Sequence, residues 1–351
     1  MSLTSSTPKL TQSVVGWAAH DSSGKLTPFM FKRRENGVDD VTIKILYCGM
    51  CRTDVHFTKN DWGNTAYPIV PGYEISGIVI KVGSNVSKFK VGERIGVGYV
   101  AASCLDCEHC KSFQENYCDQ MRPVYNSTHW DGTPTYGGYS TILVADHRYV
   151  VHIPERLPLD RAAPLMGAGL TVYTAMKHSN LFESSGKHMA VIGLGGVGHM
   201  AIKFGKAFGH HVTVISTSPA KEKDAKHKLD ADAFILSTDL IQMQVSAKHS
   251  LGPYLELLKV NGIISIVGEP AMPIEVPATP LIYGKKVVRG SIIGSVKELQ
   301  EMMNFCGKHN ILCDIELVST DKINEAFDRL AKNDVKFRFV LNVAGHQSSR
   351  L

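Results

Sequence analysis

Two groups of residues in this sequence are spaced for chemistry. The first is Cys104, Cys107 and Cys110, with two residues between each and the next, and Cys118 following on the same stretch. Four thiolates from one loop close a tetrahedral shell around zinc and leave no position for water or substrate, so this is structural rather than catalytic metal chemistry. Such a shell contributes on the order of 10–16 kcal/mol of folding-coupled binding in small domains. The remaining thiols, Cys48, Cys51, Cys306 and Cys313, sit in apolar or motif surroundings. That pattern reads as metal binding, not as a disulfide framework.

The second group is Gly193-Leu194-Gly195-Gly196-Val197-Gly198, which leaves the apolar run Met189–Ile192 and opens an amphipathic stretch. A strand–glycine turn–helix unit of this kind takes a dinucleotide. Gly193 allows the tight turn, Gly195 the approach of the pyrophosphate, and Gly198 close helix–strand packing, while the helix N-terminus supplies N–H donors. The next strand ends in Ser216-Thr217-Ser218, with Lys221 beyond it and no carboxylate at the tip. An acidic residue there would bind the ribose 2′-hydroxyl of NAD. Small hydroxyls and a lysine instead leave room and positive charge for a 2′-phosphate, so the cofactor expected is NADPH.

The elements that carry these groups fall into two patterns. Residues 10–165 read as short strands punctuated by Gly and Pro, among them Val41–Leu46, Ile75–Val82, Val91–Val97 and Tyr149–Ile153, and predict an antiparallel partial barrel. From about residue 170 strands alternate with helices: Met189–Ile192, a helix to Phe208, Val212–Ser216, a Lys-rich helix over Pro219–Leu229, Phe234–Leu236, a helix over Tyr254–Lys259, Ile263–Val267, and Lys286–Ile293. This is the grammar of a doubly wound parallel sheet. A helix, Ile315–Val318, a helix over Ile323–Ala331 and Phe337–Val343 close the chain. Length and composition agree: 351 residues, 44% hydrophobic and 20% charged, suit two globular domains. The net charge of +5 is spread over interleaved acids and bases, as in Lys221–Asp224, which argues against a nucleic-acid surface. No apolar run is long enough to span a bilayer and no secretory h-region opens the chain, so a cytoplasmic protein is expected.

On these motifs the chain resembles the plant cinnamyl alcohol dehydrogenase branch of the zinc-dependent medium-chain alcohol dehydrogenases. The segments that carry the resemblance are Gly16–Ala19, Cys48–His56, Asn60–Gly63, Pro71–Glu74, the four-cysteine lobe, Gly193–His199 and Lys332–Gly345. It implies a GroES-like catalytic domain with the zinc lobe over 1–168 and 304–351, and an NADP-binding Rossmann domain over 169–303. It also implies an active site in the cleft between the two and a homodimer joined along Arg289–Gly294. Arg52, Thr171, Val267, Gly268, Ser291 and Ile293 are then expected at the cofactor, with Gly193 to Gly198, Ser216 to Ser218 and Lys221.

The departures from the family pattern matter as much. Members hold a catalytic zinc with a Cys, the His of Pro-Gly-His-Glu and a second Cys; here Cys51 survives, but those other positions are Tyr73 and Gly167. Phenol and glycine are not catalytic zinc ligands, so that centre is expected to be metal-free. Without a Lewis acid, a substrate that already carries an electrophilic charge is favoured. The pairing of Tyr73 with Gly167 is similar to that in conjugate reductases of monoterpene indole alkaloid pathways, which implies NADPH-dependent 1,4-reduction of an α,β-unsaturated iminium such as that from precondylocarpine acetate. The alternative is a zinc-dependent cinnamyl-type alcohol or aldehyde dehydrogenase using Cys51 and Glu74. Tyr73, Thr53, His56 and Glu74 are the candidate catalytic residues, and Tyr125, Trp130 and Tyr139 are candidate pocket walls.

One stretch departs further. Between Leu236 and Tyr254 a doubly wound domain needs a helix and a buried strand, but the sequence offers only a polar run with Met243–Val245 as an apolar remnant. About a dozen residues are missing relative to the family pattern. The sheet must close up or stay open, and an open sheet raises a third possibility, a non-catalytic NADPH-binding chain.

Overall fold

The computed structural model of the chain describes residues 10–237, 250–269 and 273–346. The chain divides into two compact units, one of residues 1–170 and 295–351 and one of residues 171–294. The return to the first unit comes at Ser295, earlier than the expected residue 304, because the helix Val296–His309 buries Leu299, Met302 and Met303 there. Its start is fixed locally, since the Ser295 hydroxyl accepts from the Glu298 N–H and the Glu298 carboxylate accepts from the Ser295 N–H.

The first unit is built on a seven-stranded sheet. Val150–His152, Arg94–Val97, Glu74–Val82, Asp40–Met50, Arg338–Asn342 and Ile315–Ser319 run side by side, and Ile142–Asp146 also pairs with the long Asp40–Met50 strand. All pairs are antiparallel except the last two strands. Val41, Ile43 and Ile45 are fully buried, as are Ile75, Val79, Ile95 and Val340, so apolar burial on the sheet supplies the main stabilising term. The register places Gly49 opposite Glu74 and Cys48 opposite both Ile75 and Leu341. A glycine opposite a buried glutamate is the local feature on which the site is built.

In the second unit, His188–Ile192, His211–Ser216 and Ala233–Leu236 form a parallel sheet with His188–Ile192 at its edge. Ile263–Ile266 and Val287–Gly290 form a separate parallel pair. A doubly wound sheet has another strand between these two sets, and among the described residues none occupies that place. The remnant Met243–Val245 lies outside the described residues. The cost is visible in burial: Val212 and Val214 are fully buried, but Ile192 is 50% exposed and every residue of Ile263–Ile266 is only half-buried. Lys-rich Pro219–Leu229 is helical but irregular, opening as a 3-10 turn at Pro219–Lys221 and ending as a π turn over Asp224–Lys228. Only Ala225 within that π turn is buried, too thin an apolar stripe to enforce a regular helix.

Among the described residues His188–Ile192 and Ile263–Ile266 are each paired on one side only, which predicts uneven protection. Their amides are expected to exchange at least about tenfold faster than those of the doubly flanked strand His211–Ser216, as hydrogen–deuterium exchange mass spectrometry would read. Equal protection would mean that the flanks are covered.

Candidate active site

Glu74 and Tyr73 leave the turn after Pro71 on one strand, and Cys51 caps the helix Arg52–Lys59 that follows the neighbouring strand. That helix starts where it does because the buried Asp54 carboxylate accepts from the Cys51 N–H at 2.8 Å. The same carboxylate accepts from the Gly72 N–H at 3.0 Å and the Tyr139 hydroxyl at 3.2 Å. It thereby ties the Cys51 loop to the Tyr73 loop. Burial raises Asp54 to about 6 although these donors oppose the shift.

Tyr73 is buried, and its hydroxyl donates to the Cys51 thiol at 3.0 Å. The thiol in turn donates to the Thr53 hydroxyl at 3.4 Å. The phenol ring stands edge-on to Tyr99 at 5.4 Å and beside Tyr125 at 6.4 Å. Burial, followed by the nearby thiol and carboxylates, holds the Tyr73 phenol well above its ordinary pKa, so it stays a proton donor.

Glu74 is fully buried, and both of its oxygens are engaged. Oε1 accepts from the Ala168 N–H at 3.1 Å, and Oε2 accepts from the guanidinium of Arg338, itself only 5% exposed. Two glycines make the seat. A Cβ at Gly49 would lie 2.0 Å from Oε2, and a Cβ at Gly167 would lie 2.2 Å from Oε1 and 2.8 Å from the Tyr73 ring carbon Cε2. Burial raises Glu74 to about 7, and Arg338 opposes the rise.

The four residues expected at a catalytic metal therefore do meet, but as one thiol, one phenol, one glycine and a carboxylate committed elsewhere. Thr53 joins Cys51 and Tyr73. His56 does not: its Nδ1 pairs with Asp61 at 2.7 Å. Arg52 is exposed and donates to Asn333 at 2.8 Å. Tyr125 and Tyr139 are buried behind the site, whereas Trp130 is 55% exposed. Its ring lies beneath the Arg122 guanidinium and lines a separate cavity of about 460 Å³ with Arg34, Asp40 and Arg148. Trp130 is thus no wall of this site. Sequence reasoning missed Arg338 and Asp54. The available signal was a charge inside the apolar run Phe337–Val343, since a buried cation implies a buried partner.

In the four-cysteine lobe the ligand sulfurs all lie within 4.8 Å of one another. The Cys104–Cys118 and Cys104–Cys110 separations are 3.5 and 3.8 Å, against the ~3.8 Å between sulfurs on a tetrahedral zinc with 2.3 Å bonds. Donation from the backbone N–H groups of Asp106 and Cys107 lowers Cys104 to about 6, toward the thiolate that a metal requires. The lobe fits zinc, with Cys104, Cys107, Cys110 and Cys118 as ligands. Among the described residues it is the one group of three or more such donors.

In the second unit, Gly193 has φ of +88° and its N–H donates to the Ile215 carbonyl at 2.8 Å. A Cβ at Gly198 would lie 2.1 Å from the Gly193 carbonyl oxygen, and Gly195 faces open space. The turn is therefore closed on its packing side and open where a pyrophosphate would approach, with Leu194 buried beneath it and Gly196 and Val197 half-buried. Ser216 is buried at the strand end and accepts from the Ser218 N–H, Thr217 is exposed, and Lys221 is half-buried. Val267 and Gly268 are exposed after Ile263–Ile266, Ser291 is buried with its N–H on the Ile266 carbonyl, and Thr171 and Ile293 are half-buried.

The family models agree with both units. Residues 37–155 match the alcohol dehydrogenase GroES-like domain and residues 196–308 the zinc-binding dehydrogenase domain. A probable cinnamyl alcohol dehydrogenase 6 of Oryza sativa subsp. japonica is 62% identical over 97% of this chain and 98% of its own length. The 8-hydroxygeraniol dehydrogenase of Catharanthus roseus is 51% identical, covering 94% of each. The solved cinnamyl alcohol dehydrogenase of Sorghum bicolor superposes with a TM-score of 0.91 at 49% identity, over 95% of this chain and 98% of that one. That of Helicobacter pylori, solved with NADP(H), gives 0.87 at 34% over the same shares. The chain belongs to the plant cinnamyl alcohol dehydrogenase-like medium-chain dehydrogenase family. It is an NADP-dependent oxidoreductase of the alcohol dehydrogenase type, acting on a small molecule. Among the described residues no helix is long and apolar enough to cross a membrane.

Two outcomes follow from the Glu74–Arg338 pair. Arg338→Met is expected to cost about 3 kcal/mol, the low end for a broken buried pair because Glu74 can take up a proton. Adding Glu74→Gln should recover much of it in urea unfolding. Burial raises Glu74 from 4.5 to about 7, so between those values the folded chain keeps a proton that the unfolded chain has released. The contribution to stability is present below the ordinary carboxyl value and is lost as pH rises through the folded one. Wild type should accordingly lose stability relative to Glu74→Gln across that window, and a pH-independent difference would refute the assignment.

Proposed function

We propose that this chain is an NADPH-dependent reductase of conjugated, cinnamyl-type carbonyl compounds whose reaction centre works without a metal ion. The substrate class rests on the rice and sorghum relatives, which carry cinnamyl alcohol dehydrogenase names. The metal-free centre rests on one observation, the Tyr73 hydroxyl bonded to Cys51 with its ring against Gly167. The zinc-dependent form of this dehydrogenase, with Cys51 and Glu74 as ligands, has both Glu74 oxygens already bonded, to Ala168 and Arg338. A catalytic zinc does not fit this donor set.

Bound NADPH supplies the hydride. Tyr73, kept protonated by burial, would turn its hydroxyl proton from the Cys51 sulfur to the developing oxyanion and in exchange accept from the Cys51 thiol, which in turn gives up its bond to Thr53. Asp54 holds the Cys51 and Gly72 backbones, and Arg338 fixes Glu74 next to the ring. A neutral hydrogen bond gives less than the several kcal/mol a Lewis acid supplies, so plain aldehydes should turn over slowly. The same centre favours a second reading, 1,4-reduction of an α,β-unsaturated iminium of the monoterpene indole alkaloid kind, because a cationic electrophile needs no Lewis acid. The gap between the two strand sets among the described residues of the second unit supports a third, a chain that binds NADPH poorly and does not turn over. We further propose a cytoplasmic homodimer paired along Arg289–Gly294, with the exposed Ile282 and Tyr283 of the preceding helix as further apolar surface in the same unit.

NADPH deuterated at the transferred position separates these readings. Incubated with a cinnamyl aldehyde and with an unsaturated iminium, label on the carbinol carbon supports the first reading and label on the alkene terminus the second. No NADPH binding in a fluorescence titration leaves the third. Tyr73→Phe is expected to lower kcat by about 10²-fold or more with little change in KM. An unchanged kcat would reduce Tyr73 to a space filler.

A further inference from the structure

We infer that the four-cysteine lobe is a metal-dependent clasp on the start of helix Val296–His309, with Glu115 and Phe113 as its two prongs. Both prongs lie between the third and fourth thiols, on residues 111–117. The buried Glu115 carboxylate accepts from the Val296 N–H at 2.6 Å, and the Lys297 ammonium stands over the Phe113 ring at 4.6 Å. Val296 also packs with Met121 against the buried cluster of Val100, Ala102 and Tyr149. What is held is the first turn of the helix on which the chain returns to the first unit. The contact answers a local need, because the first N–H groups of a helix have no carbonyl within it to bond. Ser295 takes that of Glu298 with its hydroxyl and that of Leu299 with its carbonyl, which leaves Val296 to Glu115 from 181 positions away. A carboxylate there also meets the positive end of the helix dipole.

The hold depends on the metal because the lobe has little else to keep its shape. Helix Glu108–Lys111 buries no residue, and over residues 104–120 only Glu115, Asn116 and Cys118 are buried. A segment with almost no apolar core takes its shape from its metal–sulfur bonds. Both prongs hang directly from ligand residues. The Phe113 N–H donates to the Cys110 carbonyl at 3.1 Å, and the Glu115 carbonyl accepts from the Cys118 N–H at 3.1 Å. Once Cys110 and Cys118 lose their common anchor, the prongs lose their aim. The rest of the helix is held independently. Gln300 exchanges hydrogen bonds with the His152 backbone at 2.8 and 3.1 Å, and Met302 and Met303 are fully buried. The effect of the metal is therefore confined to the first turn.

The test is hydrogen exchange at single amides of the full chain, loaded with zinc and then stripped by a chelator. Stripping is expected to speed exchange at Val296 by about tenfold or more, and to leave residues 302–306 and strand Glu74–Val82 unchanged. Glu115→Ala with zinc still bound should reproduce the change at Val296. An unchanged Val296 in either experiment would overturn the inference. So would acceleration spread evenly over Glu74–Val82, since the ion would then hold the whole unit rather than this turn. Coupling between two sites is reciprocal, so Glu115→Ala should also weaken zinc binding by about fivefold in competition with a chromophoric chelator. Equal zinc affinity in wild type and Glu115→Ala would make Glu115 a helix cap indifferent to the metal, and the clasp would be refuted.

Discussion

The first unit is organised around a buried carboxylate. Glu74 lies fully inside, between Gly49 and Gly167, with its two oxygens on the Ala168 N–H and the Arg338 guanidinium. A buried acid is costly unless its lone pairs are met and its charge opposed, and here both conditions are satisfied from three parts of the chain. Strand Arg338–Asn342 brings the guanidinium, strand Asp40–Met50 brings a glycine in register, and the start of helix Ala168–His178 brings the N–H. Removing any one of them would disturb the other two.

Around that pair the site is a chain of donors rather than a ring of ligands. Tyr73 donates to Cys51 and Cys51 to Thr53, while Asp54 fastens the backbones on either side. An acid raised to about 6, another raised to about 7 and a phenol held protonated describe a centre tuned by desolvation. In the four-cysteine lobe, backbone donors draw Cys104 toward the thiolate, while burial pushes the Cys110 thiol up.

The nucleotide unit carries its binding signature on a strand with one described neighbour. The glycine turn is intact, with Gly198 packed on Gly193 and Gly195 open, and the strand that carries it is paired on one side. Its other side has no partner among the described residues, and Ile192 on that strand is half exposed. Sheet edges in the middle of a doubly wound domain normally carry a pairing strand. The local binding signature and the surrounding sheet are separable properties here.

The sequence by itself determined what depends on spacing along one segment. The zinc lobe, the glycine turn, the strand tip without a carboxylate and the loss of two metal-ligand types are all local patterns, as is the polar run after Leu236. Tertiary structure decided what depends on which distant residues meet. Arg338 reaches Glu74 across 264 positions of sequence, His56 turns to Asp61, and Trp130 stands outside the site. That Gly167 is the space Tyr73 and Glu74 share follows from register and burial, which no run of neighbouring residues encodes.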